Sequence, residues 1–86
     1  MTASPADIEE TLLRLLAQAG VGRTINPTDV ARTLEPGPNW HRLMPAVRRA
    51  AVALALAGRL VIYRKGKLID PNDFKGVYRL GPTSQT

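Results

Sequence analysis

The chain has no cysteine, a single histidine, a single tryptophan and a single phenylalanine, and it has no long hydrophobic run. The absence of cysteine excludes disulfides, thiolate catalysis and cysteine-based metal sites. The longest nearly apolar stretch, residues 50–57, is far too short to span a bilayer. Because the first residues lack a basic segment followed by an apolar run, we expect no secretory signal and a cytoplasmic location.

The length of 86 residues is enough for one small domain. We expect this domain to cover residues 1–80 and to be followed by a flexible tail, residues 81–86. The sequence has no glycine-rich phosphate loop, no metal-ligand spacing and no pair of carboxylates with a plausible cleft. We therefore expect no enzymatic activity, no cofactor and no metal, and the sequence gives no sign of a small-molecule ligand.

The positive charge is concentrated in the second half of the chain. Residues 1–38 carry three arginines against five carboxylates, a net charge of −2, and residues 39–86 carry nine basic residues against two carboxylates, a net charge of +7. Such a polarised chain predicts an anionic partner for the C-terminal half. The alternative is an ordinary solubilising surface. The nine arginines against three lysines are typical of a GC-rich bacterial genome.

Three helices are predicted from capping residues and from apolar residues at helical spacing. The first begins at a Ser-Pro pair and covers residues 5–19, and the second begins at an Asn-Pro pair and covers residues 27–34. Segment 21–25 between them is a candidate short strand. The third helix is predicted over residues 40–57, where Pro45 either bends the helix or marks its true first turn.

The C-terminal part is predicted to form a hairpin. Strands are expected over residues 60–63 and 77–80, with a basic turn at 64–67 and an extension of the hairpin at 68–69. Three helices followed by a hairpin is the order of a winged helix-turn-helix domain. We therefore predict an α+β fold, mainly α, of three helices followed by a C-terminal β-hairpin wing. The same order also occurs in protein-interaction modules.

The first group of candidate DNA contacts lies away from the apolar stripe of the third helix, and its members are His41, Arg42, Arg48 and Arg49. Residues 41 and 48, like residues 42 and 49, are seven positions apart, which places each pair on nearly one helix face. Donors without a neighbouring acid match a surface that contacts phosphates or bases. The alternative is that Arg48 and Arg49 only solvate the helix or pair with Glu35 or with acids of the first helix.

The second group lies at the basic turn of the hairpin. Arg64, Lys65 and Lys67 flank Gly66, and Lys75 is nearby. A basic wing would contact the DNA backbone beside the groove, and we expect it to form one continuous cationic surface with the third helix. The alternative is protection of a strand edge, since lysine at an edge discourages aggregation.

The remaining chemistry-bearing residues have structural explanations. Trp40 is expected in the core because of its helical spacing with Leu43 and Val47, the alternative being stacking on a base or a partner. Asp70 and Asp73 are interpreted as turn residues rather than as ligands of a cation.

The sequence resembles a small bacterial family called domain of unknown function 3253, over most of the chain from the first helix to Leu80. The residues that carry this resemblance are Ile25–Arg32, Trp40, Leu43–Met44, Val47–Arg48, Ala51, Leu54–Ala55, Gly58–Leu60, Lys65–Gly66, Asp70–Pro71 and Gly76–Leu80. The resemblance implies a winged-helix-like fold and no established activity, substrate or cofactor. It also implies that Arg48 and Arg79 belong to the shared pattern, with Arg79 in a structural ion pair.

Two functional hypotheses from different classes follow. The first is a bacterial winged helix-turn-helix module that binds duplex DNA, with the basic third helix in the groove and the basic wing on phosphates. The second is a protein–protein interaction module of the same fold, which binds an acidic partner or pairs with a second copy through Leu13 of the first helix. RNA binding by the same surface remains a third hypothesis.

Overall fold

The chain folds into three α-helices followed by a small sheet. The computed structural model describes residues 4–20 and 22–83. The helical elements are α1 (Pro5–Ala19), α2 (Pro27–Leu34), a 3₁₀-helix (Pro38–Leu43) and α3 (Met44–Leu56). The strands are β1 (Val61–Arg64), β2 (Lys67–Leu68) and β3 (Arg79–Gly81). The predicted α+β class, mainly helical and with a winged-helix-like layout, is confirmed.

The first two helices begin and end where their capping residues predict. At the start of α1, the hydroxyl of Ser4 accepts a hydrogen bond from the Asp7 N–H, and the Asp7 carboxylate accepts one from the Ser4 N–H. This reciprocal arrangement satisfies two backbone donors that the helix itself leaves unpaired. Gly20 ends the helix with φ of +96°. At α2, the Asp29 carboxylate accepts a hydrogen bond from the Asn26 N–H.

The predicted third helix is wrong in its first part. Residues 38–43 form a 3₁₀-helix, and the α-helix begins only at Met44. Pro45 therefore occupies the first turn of α3, where an N–H has no acceptor within the helix and its loss costs little. Of the two predicted effects of Pro45, marking the true first turn is the one observed. The change of helix type rotates the side chains before Met44 relative to those after it.

The sheet is antiparallel, with β1 between β2 and β3. Ile25 pairs with Leu80 of β3 through hydrogen bonds in both directions, which ties the α1–α2 connection to the edge of the sheet. The candidate strand at 21–25 is reduced to this single bridge, and Val21 lies outside the described residues. Residues 65–78, called the wing segment below, connect β1 to β3 and contain β2.

The basic turn predicted at 64–67 is a tight two-residue turn. Arg64 pairs with Lys67, and the two residues between them, Lys65 and Gly66, have φ of +56° and +80°. Positive φ at both central positions is the backbone of a type I′ turn, which matches the twist of the strands. Because Lys65 and Gly66 form the bend itself, the turn holds Lys65 and Lys67 out at the tip of the hairpin, and both are exposed.

The core lies between the helices and the inner face of the sheet. Its buried residues are Ile8, Leu12, Leu16, Ile25, Val30, Ala31, Val47, Ala50, Ala51, Leu54, Leu60, Ile62, Phe74, Tyr78 and Leu80. Trp40 and Leu13 are half-buried and pack against this core. Trp40 thus lies at the edge of the core in which it was predicted. In the described ranges, no helix has the length and apolar character needed to cross a membrane.

Gly81 belongs to the sheet rather than to a flexible tail. It is buried as the last residue of β3 and pairs with Val61. A Cβ at this position would lie 2.7 Å from Cε2 of Tyr63 and 3.4 Å from Cγ2 of Thr24. The expected start of the tail at residue 81 is therefore wrong, because the Tyr63 ring packs directly on the glycine backbone. The end of the expected tail, residues 84–86, lies outside the described residues, as do residues 1–3.

We expect Gly81→Ala to lower the free energy of unfolding by about 1–3 kcal/mol, since the added methyl group displaces the Tyr63 ring. Gly37→Ala is the matched control, because φ there is −81° and a Cβ would meet nothing closer than 4.0 Å. The control should change stability by less than about 0.5 kcal/mol. Urea unfolding measures both, and equal effects of the two variants would contradict the close contact.

Candidate nucleic-acid interface

Arg42 and Arg49 line one groove between α1 and the start of α3. The groove has a volume of about 450 Å³ and includes Glu9 of α1, and both arginines are exposed. Its other lining residues are apolar: Pro5, Ile8, Leu43, Ala46, Ala50 and Ala53. The predicted proximity of residues 42 and 49 is thus observed, although the two lie on different helical elements.

His41 is exposed and lies against Trp40. The two ring centroids are 3.8 Å apart with an angle of 23° between the planes, which is a stacked arrangement. The guanidinium of Arg32 lies 4.7 Å from the centroid of the Trp40 ring. An imidazole that is stacked in this way has its orientation set by the indole, with both ring nitrogens still available as hydrogen-bonding groups.

Arg48 does not share the exposed face of Arg49. Its guanidinium lies 3.9 Å from the centroid of the Phe74 ring and 5.9 Å from that of Tyr78. It also donates a hydrogen bond to the carbonyl oxygen of Phe74, and the side chain is half-buried. The prediction that Arg48 faces solvent as a DNA contact is wrong in its placement, because adjacent residues of an α-helix point about 100° apart. Arg48 instead holds the wing segment against α3.

The cations of the basic turn have two different environments. Lys65 and Lys67 are exposed, whereas Arg64 is half-buried and its Nε is fully buried without a hydrogen-bond partner among the described residues. The Arg64 guanidinium passes over Gly76, where a Cβ would lie 2.8 Å from Nη2. Glycine at position 76 therefore makes room for this side chain. Lys75, which precedes that glycine, is exposed.

Arg79 is anchored by neutral partners. Its Nε donates to Oγ1 of Thr24 at 2.6 Å, its Nη1 donates to Oδ1 of Asn26 at 2.6 Å, and its Nη2 donates to the Thr24 carbonyl at 3.3 Å. The ion pair that the family resemblance implies for Arg79 is replaced by these contacts. These three hydrogen bonds hold the guanidinium in position. Because none of the acceptors is charged, they do not neutralise its positive charge.

Some members of the two groups of candidate contacts line separate depressions, whereas His41, Arg48 and Lys67 line neither of them. Arg64, Lys65 and Arg79 line a pocket at the root of the wing segment, and of the described residues none lines both this pocket and the groove of Arg42 and Arg49. Arg42 and Arg49 thus line a different depression from Lys65. In the part of the chain that the structure describes, no three potential ligands from His, Cys, Asp and Glu come together as a metal site.

Tyr78 is a residue of this region that sequence reasoning did not single out as a candidate. Its ring is 6% exposed and meets Phe74 edge to face at 5.1 Å between centroids. Its Oη is buried and has no partner within residues 4–20 and 22–83. Burial raises the pKa of Tyr78, and the nearby charge of Arg48 offsets part of this rise. A tyrosine in an expected strand carries no sequence signal for such an environment.

The fold and the site define a class of protein, namely a small α+β domain with a winged-helix-like layout and two exposed groups of cations. The chain belongs to the protein family of unknown function DUF3253, whose family model matches residues 5–83. This confirms the family resemblance and adds no activity to it. Comparison with the curated proteins gives no match.

We expect Arg48→Ala to lower the free energy of unfolding by about 2 kcal/mol, because it removes a stacked cation and a charge-assisted hydrogen bond together. The matched control is Arg49→Ala, which deletes the same charge from the next, exposed position and should cost less than about 0.5 kcal/mol. Chemical denaturation of both variants measures the difference. Equal losses would show that the contact of Arg48 with Phe74 contributes nothing to stability.

Stability should also fall in alkaline solution because of Tyr78. The unfolded chain ionises this residue from its ordinary pKa of 10.0, whereas the folded chain holds the proton to higher pH. The unfolded state then binds fewer protons, so stability present below about pH 10 is lost as pH rises, by at most about 1.4 kcal/mol per pH unit. The Tyr78→Phe variant should not show this loss of stability with rising pH, because phenylalanine does not ionise. Unfolding curves of both proteins at about pH 8 and about pH 10.5 test it, and parallel declines would contradict it.

Proposed function

We propose that the chain is a winged helix-turn-helix module that binds duplex DNA. In this proposal the 3₁₀-helix and the start of α3 face the major groove with His41, Arg42 and Arg49, and the basic turn contacts phosphates with Lys65 and Lys67. A cytoplasmic location in a bacterial cell, expected from the sequence, forms part of the same proposal.

The observation that carries the proposal is the exposure of unneutralised cations in the basic half of the chain. Arg42, Arg49, Lys65 and Lys67 are all exposed, and the side-chain hydrogen bonds of arginines in the described ranges come from Arg48 and Arg79. Exposed arginine and lysine side chains on a domain with a net charge of +5 favour an anionic polymer as the partner.

The dimensions of the domain suit two separate contacts on one duplex. The molecule extends 35 × 26 × 20 Å, so its long axis equals about one turn of B-DNA, roughly 34 Å. The major groove is about 12 Å wide and has phosphates on both sides. In this proposal, Arg42 and Arg49 in one depression and Lys65 in the other each contact phosphates beside such a groove.

The exposed side of α3 favours phosphate binding over base reading. The exposed residues of this helix are Pro45, Arg49, Ala53 and Leu56. Of these only Arg49 has donors for a base edge, and specific recognition needs several such contacts. We therefore propose binding that depends mainly on phosphates and discriminates little between sequences.

With four cations on phosphates, the logarithm of the affinity should fall with the logarithm of the salt concentration at a slope of about −3.6. Fluorescence anisotropy with a random-sequence duplex between about 50 mM and about 200 mM salt measures the slope. Arg49→Gln and Lys65→Gln should each reduce its magnitude by about 1. Their control is Arg14→Gln, an exposed charge on α1.

The control variant should keep the slope of the original protein. Binding that is absent at low salt or independent of salt would overturn the proposal. The proposal also fails if Arg14→Gln reduces the slope as much as Arg49→Gln does, because the charge would then act without regard to position.

The groove between α1 and α3 supports a second candidate, a protein-interaction module. Six of its nine lining residues are apolar, and Arg42 and Arg49 supply positive charge beside them. An acidic amphipathic peptide has the complementary chemistry. Pairing with a second copy through Leu13 has less support, since Leu13 is half-buried against the core of its own chain. Chemical-shift mapping separates the candidates: perturbation along α1 by an acidic peptide, with no response to DNA, favours the module.

A further inference from the structure

Arg42 and Arg49 belong to two features of the molecule at once. They are proposed contacts for DNA, and they also line the groove between α1 and α3, which has a volume of about 450 Å³. Both side chains are exposed, and within residues 4–20 and 22–83 neither of them donates a hydrogen bond. A molecule that fills the groove therefore meets two cations that the proposed DNA contact needs.

The exposed side of α3 is apolar apart from Arg49. Ala46 and Ala53 line the groove with it, and Leu56, one turn beyond Ala53, is 58% exposed. Because residues three or four positions apart are neighbours on a helix surface, these four side chains follow one side of α3. A helix that reads base edges needs donors and acceptors on that side. Contiguous apolar side chains that stay exposed are instead typical of an interaction surface for a protein.

The small side chains of α3 leave room for a second helix. Three of the lining residues on α3 are alanines, namely Ala46, Ala50 and Ala53. The distance between two packed helices depends on the side chains at their contact, so alanines allow a close approach. From Ala46 to Leu56 the axis of α3 rises about 15 Å, which about three turns of a partner helix cover.

The charge along the groove is uneven. Arg42 precedes α3 and Arg49 lies in its first half, whereas Ala53 and Leu56 lie in its second half. Among the lining residues, all of which are described, Glu9 of α1 is the one acid, and it is half-buried. A complementary partner has carboxylates where it meets the two arginines and large apolar side chains where it meets the second half of α3.

We propose that the groove binds an acidic amphipathic helix of a partner protein, and that this helix competes with duplex DNA for Arg42 and Arg49. The competition rests on the proposed function, whereas the docking of the helix does not. With its carboxylates on the two arginines and its apolar side over Ala53 and Leu56, the helix covers the side of α3 that is proposed to face the major groove. Since both ligands use the same cations, each lowers the apparent affinity of the other.

The probe for docking is a helical peptide of about 16 residues, with leucines three and four positions apart and glutamates beside them. Its control is a peptide of the same composition with a scrambled order, which keeps the charge and loses the apolar side. In two-dimensional NMR of the labelled full chain, the first peptide should shift the amides of Glu9, Arg49 and Ala53, and the control should bind at least about tenfold more weakly. No shift at these amides with millimolar peptide, or equal binding of both peptides, would overturn the docking. Shifts of the same amides with chain concentration alone would assign the groove to a second copy and would also overturn it.

Displacement is measured by anisotropy of a fluorescein-labelled random-sequence duplex at about 50 mM salt. The amphipathic peptide should return the anisotropy to that of the free duplex, and the scrambled peptide should need a concentration at least about tenfold higher. A peptide that shifts the groove amides while the duplex stays bound would overturn the competition. A duplex that does not bind even without peptide would overturn the DNA proposal and the competition, and the NMR shifts would then still support the docking.

Two alanine substitutions separate the groove from the DNA contacts. Ala53→Gln fills the groove without a change of charge, so it should weaken peptide binding at least about tenfold and leave duplex binding within about twofold. Ala17→Gln is the matched control, because Ala17 is an exposed helical alanine of α1 outside the groove, and it should leave both affinities within about twofold. Equal weakening of peptide binding by the two variants would overturn the docking site.

Two glutamate substitutions test the charge of the groove. Glu9→Gln removes the acid that lines the groove, and its neighbour Glu10 is exposed and lies outside it. Because like charges repel, Glu9→Gln should tighten binding of the acidic peptide about threefold, and Glu10→Gln should tighten it less than about 1.5-fold. Equal tightening would show attraction to the net charge of the chain and would overturn the docking site.

Discussion

The contact between Arg48 and the ring of Phe74 is the interaction on which the C-terminal half of the structure depends. The wing segment is 14 residues long and contains only the two-residue strand β2, so its own backbone pairing is too small to hold it in place. The guanidinium on Phe74, the hydrogen bond to the Phe74 carbonyl and the edge-to-face contact of Phe74 with Tyr78 join this segment to α3. This contact therefore fixes the wing segment on α3, next to the buried ring of Tyr78.

The arginines of this chain act differently because their surroundings differ. Arg48 is held by aromatic rings and a carbonyl, Arg79 is held by neutral oxygens, and Arg49 is free in solvent. Guanidinium serves all three because it is planar, always charged and weakly hydrated, so it packs on rings and still donates several hydrogen bonds. A net charge of +5 therefore overstates the charge available to a polymer, because the guanidinium of Arg48 is engaged within the chain.

Local signals predicted the elements well and the candidate site only in part. The bounds of α1 and α2 follow from Ser-Pro and Asn-Pro starts, whose capping contacts lie within four residues. The α-helix begins later than predicted because nothing local in residues 38–43 distinguishes a 3₁₀-helix from an α-helix, and only Pro45 indicates where the first α-helical turn lies. Of the predicted contacts, Arg42, Arg49, Lys65 and Lys67 are exposed as expected, while Arg48 and Arg64 are half-buried.

The sequence by itself determined the fold class, the first two helices, the place of the basic turn at 64–67, and the uneven distribution of charge. Each of these depends on residues that are near one another in the chain or on composition alone. Only the tertiary structure decided that Arg48 meets Phe74, 26 residues away, and that Arg79 reaches Thr24, 55 residues away. Contacts at such separations form when helices and sheet pack around a common core, and the periodicity of a single element carries no information about them.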